Sequence, residues 1–444
     1  MSKPWVFLIL AVAVLVGVTL YSPPNRAPEG KIPITYWTGW TGHELEVQKR
    51  LVARFNREHP HIRVKIVSVA GSYQKVRIAF AGGSTPDVCS AIWADELAGY
   101  AIRGVLTPLD DFMEEAGRSP DEFMPGIARM LHFRGKLYGL AATANSVFIA
   151  YNKGIFRESG LDPEHPPLTL DELDIAAEKT TKYGANGNFI RYGFRPTALV
   201  WWAYVFGGKW YDERTGRITA NDPKNVEALR WMVSYARKYD INRMEAFEQT
   251  FGSIQTVSGP FFVGKTAMWA TGEWAEEHIK RYAPNLEWGY FAAPPPPGGR
   301  RNTCTVGGSV FVIPAACRHK KEAFEFLSWM CGPEAVKEFC LRIGNIPPLK
   351  AVAAEPEFQR HPLYKFAITL AGGENAFGPP PVPIWPMYSA EITRAEDYAM
   401  HGKEDPKKLL DQVTAKMQRE LDRTLAELRQ DRPEDTDDTN RNNR

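Results

Sequence analysis

GPFFVGKTAMWATGEW, residues 259–274, is the stretch of this chain that decides between two folds. Its first half has the spacing G-x-x-x-x-G-K-[ST] of a phosphate-binding loop, in which backbone N–H groups of small residues hold phosphates at the start of a helix. Pro260 has no N–H to donate, and residues 261–263 are bulky where the backbone would have to wrap the ligand. Residues 266–269 predict a short strand rather than a long helix. We therefore reject the phosphate-binding loop and predict a tight turn at Gly264 and Lys265 that leads into a strand.

Apolar patterns of strands and helices alternate in the part of the chain that begins at residue 32. Strands are predicted at 32–37, 62–69 and 88–93, and helices at 43–59, 72–81 and 95–102. This alternation over short connections indicates an α/β fold with an open, mostly parallel sheet that helices cover on both faces. Ligands of such sheets bind beyond the carboxyl ends of the strands, where Trp37, Trp40, Trp93 and Asp95 stand. Trp37 ends its strand and is expected to lie in the core.

The two ends of the chain differ from its middle. Residues 5–21 are an apolar run without a charge, about long enough to span a thin bilayer, and the run also fits the apolar part of a secretory signal. Because no small-residue cleavage site follows, we predict that residues 1–30 are an uncleaved membrane anchor and linker, with a cleaved signal as the alternative. Both interpretations place the rest of the chain outside the cytoplasm. At the other end, residues 406–430 predict an amphipathic helix, and residues 431–444 are expected to be disordered.

Length, charge and cysteine content narrow the class of protein further. A chain of 444 residues is too long for one core and suits two domains, and a net charge of +2 does not favour nucleic acid as a partner. Five cysteines are an odd number, and Cys331 and Cys340, which flank a Gly-Pro turn, are the pair to test for a disulfide. The nine histidines lack metal-ligand spacing, so we expect neither a metal nor another cofactor.

A series of short motifs connects this chain to a known family. In chain order they are T-P-D-V at 85–88, W-A-D-E at 93–96, G-K-L-Y-G-L at 135–140, Y-N-K at 151–153, G-G at 207–208, G-K-T-A-M at 264–268, G-E-W at 272–274, A-P-P at 293–295, G-G-S at 307–309 and I-P at 346–347. Each motif alone is weak, but their common order is specific. The chain resembles the extracellular solute-binding proteins of carbohydrate ABC importers (family 1), close to the maltose-binding type.

The resemblance implies a two-lobed α/β fold of the periplasmic-binding-protein type II class, with hinge crossovers and a ligand cleft between the lobes. Carried onto this chain, the first lobe comprises residues 31–144 and 298–355, and the second comprises residues 145–297 and 356–430. The proline run at 294–297 fits a stiff crossover, although a solvated loop explains it equally well.

Candidate ligand contacts come partly from the residues and partly from the resemblance. Sugars need hydrogen bonds for their hydroxyls and aromatic rings for their C–H faces, and thirteen tryptophans are a high number. Trp201 and Trp202 are adjacent on a predicted helix, so at most one should reach the cleft, and Asp95 has helix capping as an alternative role. The resemblance implies ring stacking by Trp274 and Trp385 and hydrogen bonding by Asn145. The predicted ligand-binding set is Trp40, Trp93, Asp95, Asn145, Trp202, Trp274, Gly308 and Trp385.

The function that the resemblance implies is binding without chemistry. A mono- or oligosaccharide would close the two lobes around itself, and the closed, monomeric protein would deliver it to an ABC permease in the membrane. Alternatives are the same fold binding a polyamine or a sugar phosphate, or serving as a sensor or receptor domain. A glycosidase is a third class, but the sequence contains no identifiable acid–base pair of carboxylates, so no enzyme is expected.

Overall fold

The computed structural model of the chain describes residues 30–252 and 256–430. The predicted anchor within residues 1–29 and the predicted tail at 431–444 lie outside the described residues. Within the described part, no helix combines the length and the apolar character that crossing a bilayer requires.

Short strands and helices share the described residues. The strands are β1 Ile32–Thr38, β2 Ile62–Ser68, β3 Val88–Ser90, β4 His132–Phe133, β5 Lys136–Leu137, β6 Leu140–Ala141, β7 Asn145–Asn152, β8 Lys182–Tyr183, β9 Phe189–Arg191, β10 Tyr211–Asp212, β11 Arg217–Ile218, β12 Met268–Gly272, β13 Trp288–Phe291, β14 Cys304–Gly307, β15 Val310–Phe311 and β16 Ala376–Phe377. The α-helices are α1 Gly42–Glu58, α2 Tyr73–Gly82, α3 Leu97–Ile102, α4 Asp110–Glu115, α5 Pro125–Leu131, α6 Lys153–Glu158, α7 Leu170–Thr180, α8 Leu199–Phe206, α9 Pro223–Tyr239, α10 Ile241–Glu248, α11 Ala275–Tyr282, α12 Lys320–Met330, α13 Pro333–Ile343, α14 Lys350–Ala353, α15 Pro356–Gln359, α16 Pro362–Ala371, α17 Trp385–Met400 and α18 Pro406–Gln430. Two 3₁₀ helices occupy Ala94–Glu96 and Pro120–Glu122.

The first sheet is parallel, with strand order β2-β1-β3, as the alternation of strands and helices predicts. Tyr36 is fully buried and packs against Phe311 and Phe326, so helix α12 covers one face of the sheet. Because Thr38 of β1 pairs with Ser90 of β3, the loops that follow these two strands start side by side. The first sheet therefore brings together the segments that carry Trp40 and Trp93.

The second sheet is built around β7 and is mostly antiparallel, unlike the parallel sheet that we predicted for the chain. Strands β12, β13 and β14 all pair antiparallel with β7, and β16 adds to β14 in parallel. At the start of β7, Asn145 pairs with Gly307 and Val147 pairs with Gly272. Three distant parts of the chain thus meet at the first residues of β7.

Each sheet has its own large buried cluster, and the fold is two-lobed. The first cluster surrounds β1–β3, and the second joins the outer part of β7 to helices α8, α9, α17 and α18. We call the part around β1–β3 the first lobe and the part around β7 the second lobe. Phe148 of β7 and the buried side of α16 belong to the first cluster, so part of the second sheet packs against the core of the first lobe.

Residues 259–274 form a turn followed by a strand, which is not the conformation of a phosphate-binding loop. Phe261 and Phe262 are buried, and Gly264 adopts a φ of +68° in a turn. Strand β12 follows, and the next helix begins only at Ala275. The predicted turn is confirmed, and the strand after it begins at Met268, two residues later than predicted.

All five cysteines are free and buried, so the disulfide suggested between Cys331 and Cys340 is wrong. Cys331 ends α12, whereas Cys340 lies near the end of α13, about 10 Å further along a helix that rises about 1.5 Å per residue. The Cys340 Sγ instead lies 3.5 Å from the carbonyl oxygens of Ala142 and Ile346. The turn between the two cysteines starts a helix that separates them.

Candidate functional site

A narrow cavity of about 40 Å³ lies at the carboxyl ends of β1 and β3. Its lining consists of Gly39, Trp40, Ser90, Ala91, Ile92, Trp93, Gly308 and Ser309. Three residues of the predicted ligand-binding set, Trp40, Trp93 and Gly308, are therefore together in the structure. A Cβ atom at Gly308 would lie 2.0 Å from the carbonyl oxygen of Thr143, so only glycine lets the two segments approach this closely.

The two tryptophans of this cavity are held differently. The Trp40 Nε1–H donates to Ser309 Oγ at 2.8 Å, and the Ser309 N–H donates to Thr143 Oγ1 at 2.9 Å. The Trp40 ring also packs edge-on against Phe339, so its orientation is fixed from two sides. Trp93 is 51 % exposed and offers much of its ring to solvent. Together they form a fixed ring and a largely exposed ring beside two serine hydroxyls, of which Ser90 Oγ is hydrogen-bonded to Tyr36 Oη at 2.7 Å and Ser309 Oγ accepts from Trp40.

The two acidic residues after Trp93, Asp95 and Glu96, differ in their burial and partners, which the sequence did not predict. Glu96 is buried, and its Oε1 accepts hydrogen bonds from Arg77 Nε and Nη2 at 3.0 and 2.8 Å. Its Oε2 accepts a hydrogen bond from the Trp93 N–H at 3.4 Å. Glu96 rather than Asp95 therefore satisfies the backbone N–H that precedes the 3₁₀ helix Ala94–Glu96. Asp95 does not line the cavity, and burial, together with the charge of Glu96, raises its pKa to about 6.

Asn145 and Trp274 both lie near the start of β7. Asn145 Oδ1 accepts a hydrogen bond from the Gly307 N–H at 2.9 Å, one residue before Gly308. The half-buried Trp274 lies over Gly272, where a Cβ atom would come within 2.1 Å of the indole ring. Both residues therefore lie where β7, β12 and β14 converge, next to the segment that supplies Gly308 to the cavity.

Trp202 and Trp385, two further members of the predicted set, are not brought to this site. Trp202 has no exposed surface, and its ring lies 4.4 Å from the Trp231 ring and 5.1 Å from the Trp201 ring. Helix α8 is apolar on every side and is buried within the second lobe, so neither of its tryptophans reaches a cleft. Trp385 is 5 % exposed and packs edge-on against Tyr388.

A larger cavity of about 670 Å³ lies between α2 and α3 of the first lobe and the start of α17 and the end of α18. Arg77, Tyr100 and Arg103 line one side, and Pro386 and Met387 line the other. These residues were not in the predicted ligand-binding set, and neither were Ser90 and Ser309 of the smaller cavity. Ser309 ends a family motif and so carried a usable signal, whereas Ser90 lies in the middle of the predicted strand 88–93, and Arg77 and Met387 carried no signal.

Comparison with known proteins agrees with this architecture. Residues 43–337 match the model of the family described as bacterial extracellular solute-binding protein. An uncharacterized ABC transporter extracellular-binding protein of Pyrococcus horikoshii is 27% identical over 352 residues, which cover 76% of this chain and 75% of that protein. The maltotriose-binding protein of Pyrococcus abyssi is 25% identical over 349 residues, which cover 76% and 71%.

Solved structures give the same result. CpMnBP1 with mannotriose bound superimposes with a TM-score of 0.78 at 28% identity, covering 87% of this chain and 99% of that one. Maltose-bound T. maritima MalE3 has a TM-score of 0.69 at 23% identity, covering 87% and 99%, which shows a shared fold. The chain therefore belongs to the bacterial extracellular solute-binding protein family, whose members bind solutes outside the cytoplasm.

Proposed function

We propose that this chain is the binding component of an ABC importer, which captures a carbohydrate between its two lobes and delivers it to a membrane permease. The observation that carries the proposal is the group of aromatic rings and hydroxyls on the first lobe at the ends of β1 and β3, which would form one wall of an interlobe site. The enclosed cavity in this group, about 40 Å³, is itself far smaller than the roughly 300 Å³ of a small-molecule site. There, the Trp40 and Trp93 rings lie beside the Ser90 and Ser309 hydroxyls and the bare backbone of Gly308. Aromatic faces next to hydroxyls suit the C–H surfaces and the hydroxyl edges of a sugar ring.

An oligosaccharide is the ligand class that the comparisons support. Relatives include a maltotriose-binding protein, and CpMnBP1 was solved with mannotriose bound. The larger cavity, about 670 Å³ between the two lobes, falls within the usual range of small-molecule sites.

A polycationic ligand is less suited to these residues. The Glu96 carboxylate is already paired with Arg77, and the Asp95 carboxyl has a pKa raised to about 6, mainly by burial. The paired Glu96 therefore offers no free negative charge to a polyamine, and Asp95, although largely ionised at neutral pH, is a single partly buried carboxylate.

The working cycle follows from the two lobes. We propose the boundaries 31–144 with 298–355 for the first lobe and 145–297 with 356–430 for the second, with closure driven by ligand contacts to both. The protein acts as a monomer without turnover of its ligand or a cofactor, and residues 1–30 tether it to the membrane. Transport energy comes from a separate ATPase.

The test is a thermal-shift screen followed by calorimetric titration with maltotriose, mannotriose, spermidine and glucose 6-phosphate. A sugar that binds only the native state should raise the melting temperature. Trp93→Ala should weaken the affinity for that sugar about tenfold, the value of one stacked ring. Tyr398→Ala, which removes an aromatic ring of similar exposure on α17, is the matched control and should bind normally. Shifts with spermidine or glucose 6-phosphate alone would replace the carbohydrate assignment.

A further inference from the structure

Glu273, between Gly272 and Trp274, is a fully buried carboxylate at the junction of the lobes. Its Oε2 accepts a hydrogen bond from the Ser146 N–H at 3.1 Å, and its Oε1 accepts one from Asn345 Nδ2 at 3.1 Å. Within the described residues Glu273 forms no ion pair, so N–H groups alone hold its charge.

The two partners of Glu273 belong to different parts of the fold. Ser146 lies in β7 of the second sheet, next to Asn145. Asn345 follows α13, which packs against α1 of the first lobe. The neighbouring backbones also meet, because the Ala144 N–H donates to the Ile346 carbonyl at 2.8 Å. The Glu273 side chain therefore spans from the second sheet to a segment of the first lobe.

Few other polar side chains surround this carboxylate. The titratable groups that face it are Cys340 on α13, Cys304 on β14 and Tyr364 on α16, and burial raises the pKa of each of them. Glu276 and Glu277 follow it on α11. Buried hydrogen bonds to a charged acceptor are stronger and more directional than neutral ones.

We propose that Glu273 is an interlobe tie, whose hydrogen bonds to Ser146 and Asn345 set the relative orientation of the two lobes and the position of Trp274. This role goes beyond sugar capture and is present without a ligand. Glu273 is a positioning residue, since it acts through Trp274, β7 and the segment after α13 rather than by touching a ligand.

The test exchanges donor and acceptor across the tie. In Glu273→Gln, a neutral amide replaces the carboxylate, so both hydrogen bonds lose their charge-assisted strength even if the Asn345 amide turns over to accept from the introduced amide nitrogen. Asn345→Asp places two carboxylates against each other. The double variant Glu273→Gln with Asn345→Asp restores both bonds and leaves the total charge unchanged. In it, the introduced amide oxygen accepts from the Ser146 N–H, and the introduced amide nitrogen donates to the new carboxylate at position 345.

Distances between two spin labels on the ligand-free chain report the lobe orientation. Lys65→Cys on the edge strand β2 and Arg237→Cys on α9 are exposed sites in the two lobes, and all five native cysteines are buried. At about pH 8, above the pKa of about 7 that burial gives Glu273, we expect both single variants to shift or broaden the distance distribution. The double variant should return to the parent distribution.

Two results would overturn the tie. One is a parent-like distribution in both single variants, with circular dichroism showing a native fold. The other is a change in the single variants that the double variant does not reverse, which would assign the effect to packing. Asn345→Ala, which removes the donor without adding charge, gives the same test if Glu273→Gln does not fold. Because no ligand is used, failure of the sugar titrations leaves this measurement intact.

Discussion

Replacing Glu273 by glutamine should change how the stability of this protein depends on pH. Burial raises the pKa of Glu273 from 4.5 to about 7, although the Ser146 and Asn345 hydrogen bonds lower it. A carboxyl with a raised pKa binds its proton more tightly in the folded state. Its contribution to stability is therefore fully present below about pH 4.5 and is lost as the pH rises to about 7.

The size of the effect follows from the same numbers. An increase from 4.5 to about 7, at about 1.4 kcal/mol for each pH unit, corresponds to about 3 kcal/mol. The parent should lose this stability between about pH 4.5 and 7, and Glu273→Gln should not, because an amide does not titrate. The free-energy difference between variant and parent should therefore move by about 3 kcal/mol in favour of the variant.

Chemical unfolding of both chains over this pH range, followed by circular dichroism and tryptophan fluorescence, measures that difference. Subtracting the free energy of unfolding of the parent from that of the variant cancels the titration of groups that the two chains share. Glu374→Gln, which removes the same charge from an exposed side chain, is the control and should give a flat difference. A flat difference for Glu273→Gln, or one of opposite sign, would refute the reasoning from burial.

Three further predictions test the site and the core. Gly308→Ala should lower the melting temperature and the ligand affinity, because its Cβ would lie 2.0 Å from the Thr143 carbonyl oxygen; Gly82→Ala, with open space around it, should do neither. Arg77→Ala should destabilise the chain by about 1–3 kcal/mol in chemical unfolding, since it leaves the buried Glu96 carboxylate without its partner, and an unchanged midpoint would contradict this pairing. A thiol reagent should find no reactive cysteine in the native protein and all five after unfolding; fewer than five would indicate a disulfide after all.

The first lobe was predictable because its signals are local. Predicted strands at 32–37 and 62–69 became Ile32–Thr38 and Ile62–Ser68, and the predicted helix at 43–59 became Gly42–Glu58. Parallel strands joined by short helical connections leave little freedom in how they pair. Residues at their carboxyl ends could therefore be assigned to one edge, and Trp40 and Trp93 do line the same cavity.

The second sheet could not be predicted in the same way, because its pairings are long-range. Asn145 pairs with Gly307 and Val147 pairs with Gly272, and neither partner is fixed by local pattern. The burial of Trp202 could not be predicted for a related reason. A tryptophan on a helix does not show which way it faces until the neighbours are placed, and here Trp201 and Trp231 enclose it.

The G-E-W motif at 272–274 combines a predicted ligand contact, Trp274, with a buried structural residue, Glu273. In the sequence Glu273 is an acidic residue in a turn, which is typical of a solvated position, and nothing local indicates that Ser146 and Asn345 will enclose it. Trp274, the next residue in the chain, and Asn145, which precedes the hydrogen-bond partner Ser146, are predicted ligand contacts. Any rotation of one lobe against the other that stretches the Asn345 hydrogen bond therefore also acts on the residues that would hold a sugar. Ligand affinity and lobe orientation should consequently change together when this carboxylate is altered, and they should change separately when Trp93 is.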